Sequence, residues 1–138
     1  MNFQNNKKHR AAILVVEDDP VTAHLMKRVL QERYFVHHAT YGHEALKLIY
    51  KYQFDLALMD IDLDDVRGEE YLDGFDVIER IRGDKNFSSM IIIAITNNPR
   101  ESLFKDFIEA GFNDYVKKPV SPQQIMELVE KALALKQE

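Results

Sequence analysis

The sequence predicts an α/β domain built on a parallel sheet covered by helices, and three observations lead to it. Short apolar runs rich in Val and Ile alternate with longer segments whose apolar residues recur three and four apart, as buried strands separated by amphipathic helices do. Five such rounds follow one another with no internal repeat, low-complexity tract or linker between them. At 138 residues, 46% of them apolar and 30% charged, the chain can bury one core and has little left for a second.

Residues 1–10, MNFQNNKKHR, carry no periodicity and read as a flexible lead-in, so the domain is expected to span residues 11–136. The first strand, Ala11 to Val16, runs into Glu17, Asp18, Asp19 and Pro20. Acids and a proline suit the unpaired N–H groups and dipole of a helix start, with Asp19 as the cap and the helix reaching about Gln31. Phe35 to Ala39 is the second strand, and Ala45, Leu46, Ile49 and Tyr50 place a helix over Gly42 to Tyr50. The third apolar run, Phe54 to Met59, stops at Asp60. A polar loop follows, with Asp62, Asp64, Asp65, Glu69, Glu70 and Asp73 ahead of Gly74. Phe75, Ile78, Glu79 and Arg82 continue as a third helix.

Met90 to Ile95, MIIIAI, is too apolar for a sheet edge and ends at Thr96. A helix from about Arg100 to Ala110 closes at Gly111, the residue type that tolerates a left-handed turn. Asp114 to Val116 is a short last strand before Lys117, Lys118 and Pro119. Ser121 as cap and Pro122 in the first turn then start a final helix to about Leu135. Gly42 and Gly74 read as backbone punctuation.

Charge and composition exclude several functions. Eighteen Lys and Arg against 23 Asp and Glu leave a net charge of −5, which disfavours a nucleic-acid backbone or an anionic membrane as partner. The absence of Cys removes disulfides, thiolate metal sites and a Cys nucleophile together. No apolar stretch approaches the ~20 residues of a spanning helix, and no apolar core follows the polar start. The cytoplasm is the expected compartment.

Strands that all run the same way bring their ends to one edge of the sheet, where ligands bind. In order, those ends carry Glu17 with Asp18, then Asp60, Thr96 and Lys118. Carboxylates crowded into a cleft persist mainly when a cation neutralises them, and an all-oxygen donor set makes Mg²⁺ the natural ion. An Asp beside Mg²⁺, a hydroxyl and an ammonium can attack phosphorus and form an acyl phosphate. Asp60, alone at the tip of a central strand, is the best nucleophile, and the adjacent Glu17 and Asp18 are better placed to hold the ion. Thr96 would donate a hydrogen bond to a phosphoryl oxygen, and Lys118 would supply positive charge.

These residues resemble the receiver domain of two-component response regulators over about residues 11–136. The likeness is carried by ILVVEDDP at Ile13 to Pro20, ALMDIDL at Ala57 to Leu63, AIT at Ala94 to Thr96 and YVKKP at Tyr115 to Pro119. It implies a doubly wound, flavodoxin-like five-stranded sheet of order 2-1-3-4-5 and phosphorylation of Asp60 from a phosphohistidine. The donor is expected to be a sensor histidine kinase or a histidine phosphotransfer protein. An Mg²⁺ site is implied from the Asp18 and Asp60 side chains, the main-chain carbonyl of Asp62 and waters held by Glu17. Thr96 and Tyr115 match the family's switch pair, whose movement alters the face formed by the fourth helix, fifth strand and fifth helix. The chain departs from the pattern after Asp60: Leu63 and Asp64 replace Met and Pro, the loop is longer, and Asn97 follows the Thr where a small residue is usual. Asp62 and Asn98 occupy the two places where receivers tend to tune hydrolysis.

Three rival functions share some of these residues. Asp60, Asp62 and Asp64 take the first, third and fifth places of an EF-hand-like calcium loop, but Asp65 and Tyr71 then stand where Gly and Glu are needed. An unphosphorylated receiver-like interaction module would not need the acid, Thr and Lys set. An Mg²⁺-dependent phosphatase with an Asp nucleophile would use an acid two residues on, where Asp62 sits, but also a substrate pocket that this length scarcely provides. Only Lys136, Gln137 and Glu138 follow Leu135, so the expectation is a stand-alone receiver without DNA-binding output, either a phosphorylation-dependent switch or a phosphate shuttle in a phosphorelay, monomeric or weakly dimeric, acting through another protein. His9, His24, His37, His38 and His43 fall on no common site.

Overall fold

The computed structural model describes residues 10–62, 72–97 and 103–137. Five strands, β1 (Ala12–Val16), β2 (Phe35–Ala39), β3 (Leu56–Asp60), β4 (Ile91–Thr96) and β5 (Asp114–Lys117), alternate with helices. The helices are α1 (Pro20–Leu30), α2 (Gly42–Lys51), α3 (Gly74–Arg82), α4 (Leu103–Ala110) and α5 (Pro122–Gln137). The sheet has the order β2-β1-β3-β4-β5, and each neighbouring pair is parallel. This is the doubly wound α/β sheet expected from the sequence. Its interior strands β1, β3 and β4 read as continuous apolar runs because helices cover them on both faces.

One face packs Leu14, Val16, Ala57, Met59, Ile92 and Ala94 under α2, α3 and α4, which contribute Leu46, Ile49, Val77, Ile78, Ile81 and Phe107. The other packs Ile13, Val15, Leu56, Leu58, Ile93 and Ile95 under Met26 and Leu30 of α1 and Ile125, Val129 and Leu133 of α5. Alternate residues of one strand thus serve opposite layers.

The helix starts follow from local chemistry. Asp19 caps α1 by accepting from the Thr22 amide at 3.0 Å and from the Thr22 hydroxyl. Asp73 and Asp76 cap α3 reciprocally, at 2.9 and 3.0 Å. Ser121 and Gln124 do the same for α5, at 3.1 and 2.9 Å. Gly111 ends α4 with φ +115°, and a Cβ there would lie 2.7 Å from Arg82 Cγ.

The differences from expectation have physical reasons. Asp60, Thr96 and Lys117 extend their strands beyond the apolar runs because the backbone ladder continues through them, pairing Asp60 with Ile95 and Thr96 with Lys117. Arg10, expected in the lead-in, belongs to the fold. Its guanidinium donates to the carbonyls of Arg33 at 3.1 Å and Gln31 at 2.9 Å, acceptors left over after α1, and lies over the Phe35 ring. Gly74 is a close-approach residue rather than punctuation: a Cβ would sit 2.6 Å from Ile61 Cα and 3.1 Å from the Asp60 carbonyl oxygen. Residues 1–9 of the lead-in, the body of the acidic loop at 63–71, Asn98 and the expected start of the fourth helix near Arg100 lie outside the described residues. No helix among the described residues is long and apolar enough to cross a membrane.

Candidate functional site

Among the described residues, the buried polar or charged side chains are Glu17, Asp60 and Thr96, each 1% exposed. Each stands at the end of a central strand: Glu17 directly after β1, Asp60 and Thr96 as the last residues of β3 and β4. Buried polar groups are expensive unless they are paired, so three of them at one edge mark it as a site.

The fifth strand delivers the counter-charge. The Lys118 amide donates to the Thr96 carbonyl at 2.8 Å, which anchors the turn after β5. From there Lys118 Nζ reaches Asp60 Oδ2 at 2.9 Å and the two Glu17 oxygens at 3.2 and 3.3 Å. The Lys118–Pro119 peptide is cis. Asp60 Oδ1 accepts from the Asp62 amide at 2.9 Å, so the carboxylate is held at both oxygens. Glu17 is less well served. Its Oε1 also accepts from the Asp19 amide at 3.2 Å, but its Oε2 is buried without a hydrogen bond.

Burial, followed by repulsion from Asp60, pushes the Glu17 carboxyl up to about 7 despite Lys118. For Lys118, burial disfavours the ammonium, but the hydrogen bonds and charges of Asp60 and Glu17 outweigh it, and its pKa is raised. One ammonium therefore serves a pocket with an excess of negative charge.

That imbalance is the test of whether a cation fits. Glu17, Asp18 and Asp60 each offer an oxygen, and these atoms all lie within 4.8 Å of one another. Hard oxygen donors, surplus negative charge and a buried Glu17 oxygen that has the shared Lys118 ammonium but no hydrogen bond suit a divalent cation such as Mg²⁺.

The remaining sequence-predicted residues surround this cluster. Asp62 is exposed, and its Oδ2 accepts from the Asn97 amide at 3.1 Å, tying the segment after β3 to the segment after β4. Tyr115 is half-buried on β5 opposite Ala94, and its ring stacks on Phe107 at 5.1 Å. Phe107 stacks in turn on Phe75 at 5.5 Å, with Phe112 edge-on to both. Beside Lys118 opens a groove of about 380 Å³ between α1 and α5, lined by Thr22, Leu25, Met26, Val120 and Ile125.

His38, one of the five histidines for which no common site was expected, is a satisfied strand side chain beside the cluster. Its Nε2 lies 2.8 Å from the Glu17 carbonyl oxygen. The available signal was its place near the end of a strand next to β1, where the parallel register sets it beside Val15.

The profile of the response regulator receiver domain family matches residues 13–130. A 14.6 kDa protein of the sodA1 3′ region of Leptolyngbya boryana is 34% identical over 119 residues, covering 86% of each chain. Hybrid signal transduction histidine kinase D of Dictyostelium discoideum is 28% identical over 133 residues, 96% of this chain but 8% of that protein. In structure, the CheY-like response regulator receiver domain protein of Methanospirillum hungatei JF-1 superposes with a TM-score of 0.80 at 28% identity, covering 93% of this chain and 97% of that one. With its sheet order and buried acidic edge, this chain belongs to the response regulator receiver domain family.

Proposed function

We propose that Asp60 is the phosphoacceptor of this receiver, taking a phosphoryl group from a phosphohistidine on a sensor histidine kinase or a histidine phosphotransfer protein. The observation that carries it is the placement of Asp60: buried at the tip of a central strand, it shares Lys118 with Glu17 and lies within reach of Asp18. In the transfer an O–P bond forms at the Asp60 carboxylate and the P–N bond of the donor breaks, its electron pair returning to the imidazole. Lys118 stays fixed beside Asp60 and offsets charge on the phosphoryl oxygens, and the Thr96 hydroxyl donates to one of them.

The Asp18 and Asp60 carboxylates, the Asp62 carbonyl and waters held by Glu17 would hold Mg²⁺. When bound, the ion supplies positive charge against the carboxylates and the incoming phosphoryl group. The groove between α1 and α5 gives a donor protein access beside Lys118. Thr96 and Tyr115 form the switch pair, and the Phe107 stack sets the orientation from which Tyr115 moves.

The domain spans residues 11–136, with Arg10 added as its anchor, and works in the cytoplasm as a monomer or weak homodimer. It signals by binding a downstream protein, with no nucleic acid or membrane as partner, and is a phosphoacceptor and not a turnover enzyme.

Incubation with acetyl phosphate and Mg²⁺, followed by intact-mass measurement, tests the assignment. The expected result is one added phosphoryl group per chain in the wild type and none in Asp60→Asn. Uptake by Asp60→Asn, or release of many equivalents of phosphate while the wild type stays unmodified, would overturn it.

A further inference from the structure

The edge strand β2 holds both polar backbone groups of Glu17. The Glu17 amide donates to the Ala39 carbonyl at 3.0 Å, and the Glu17 carbonyl oxygen lies 2.8 Å from His38 Nε2. A carbonyl can only accept, so this contact places the ring proton on Nε2. Val16 and Ala39 are the last registered pair of the β1–β2 ladder. The imidazole therefore extends the hold of β2 one residue beyond that ladder, to the peptide joining Glu17 and Asp18. Both carboxylates of that dipeptide belong to the acidic cluster, and Glu17 itself is 1% exposed. Rotation of this peptide would redirect the chain into Asp18 and move its carboxylate away from Asp60.

We propose that His38 is a positioning residue for the cation site: through the Glu17 carbonyl it fixes the peptide from which the Glu17 and Asp18 carboxylates diverge. This rests on the reading of that cluster as an Mg²⁺ site. His38 bonds the backbone that carries two of the cluster's carboxylates and not a carboxylate itself, so its loss is expected at the low end of the roughly 10–100-fold that outer hydrogen bonds contribute to metal affinity. Sequence position alone marks His38 as a strand residue, because the contact depends on its ring reaching past the Val16–Ala39 pair that ends the β1–β2 ladder.

The test is Mg²⁺ titration calorimetry on the unphosphorylated protein for the wild type, His38→Phe and His38→Gln. His38→Phe removes the donor and is expected to raise the Mg²⁺ Kd about tenfold, whereas His38→Gln keeps an N–H and is expected to stay near the wild type. Equal affinity in all three, or equal weakening in both variants, overturns the role of His38 while leaving the cation site standing. A wild type that binds no Mg²⁺ overturns the cation site and the inference together. A measurement on the unmutated protein covers the case in which a variant fails to fold. Nitrogen-15 shifts of the His38 ring are expected to show a protonated Nε2, and a proton on Nδ1 alone overturns the inference.

Discussion

Where the strands begin, Arg82 at the end of α3 donates three hydrogen bonds, each 2.9 Å long, to the carbonyls of Gly111 and Phe87 and to Asn113 Oδ1. Asn113 Oδ1 also accepts from the Ile92 amide at 2.8 Å, and Asp55 Oδ2 accepts from the Ala12 amide at 2.9 Å. Where the strands finish, Glu17 keeps a buried oxygen without a hydrogen bond, and Lys118 is divided between two carboxylates. Charge at the first end closes loops, the Arg82 guanidinium matched by acceptors and the Asp55 carboxylate by a donor. At the second, negative charge exceeds the one ammonium beside it, and that excess is what a divalent cation can satisfy. A polar residue at the beginning of the sheet is therefore expected to contribute stability, and one at its finish to contribute function at the expense of stability.

The sharpest break in this contrast is Asp60→Asn, expected to abolish phosphoryl uptake while leaving the protein folded and at least as resistant to urea as the wild type. Next comes Arg82→Met at the opposite end. It takes this donor from the Gly111 and Phe87 carbonyls, while Asn113 Oδ1 keeps the Ile92 amide, and is expected to cost about 2 kcal/mol in urea unfolding, with the modified fraction after acetyl phosphate treatment unchanged in the folded protein.

Glu17→Gln tests the sign at the site. Burial and Asp60 raise the folded Glu17 carboxyl to about 7, above its ordinary value of 4.5. The metal-free wild type thus bears the burden of a charged Glu17 above pH 7 and sheds it as the pH falls toward 4.5. Glu17→Gln is expected to stabilise the metal-free protein on the order of 2 kcal/mol above pH 7, with the gain vanishing near pH 4.5. Paired urea melts across that range measure it, and a gain that grew toward low pH would contradict the origin of the shift. The smallest effect is expected at Asp55→Asn. The substituted side chain can still accept from the Ala12 amide, so only the long contact to Lys136 at 3.8 Å is lost, less than about 1 kcal/mol.

Much of this arrangement is legible in the amino-acid sequence. Val and Ile runs that stop at Asp60 and Thr96 locate strand ends, and parallel strands bring their ends together. That logic alone anticipated that Glu17, Asp18, Asp60 and Lys118 would meet. Asp19 and Ser121 were legible as caps because capping is local chemistry. The residues that escaped act across space. Arg10 reaches carbonyls left after α1, His38 reaches past the end of a neighbouring strand, Gly74 lets α3 approach Ile61, and Arg82 joins three separate segments. None of these has a periodic or spacing signature, since each depends on the distance between elements far apart in sequence.

Locating the phosphoryl group chemically tests the central claim most directly. Borohydride reduces an aspartyl phosphate to homoserine, and peptide mapping after acetyl phosphate and Mg²⁺ treatment shows which residue carried it. Homoserine at position 60 alone is the expected result. Homoserine at position 18, or an unreduced Asp60 in protein that has taken up phosphate, would contradict it.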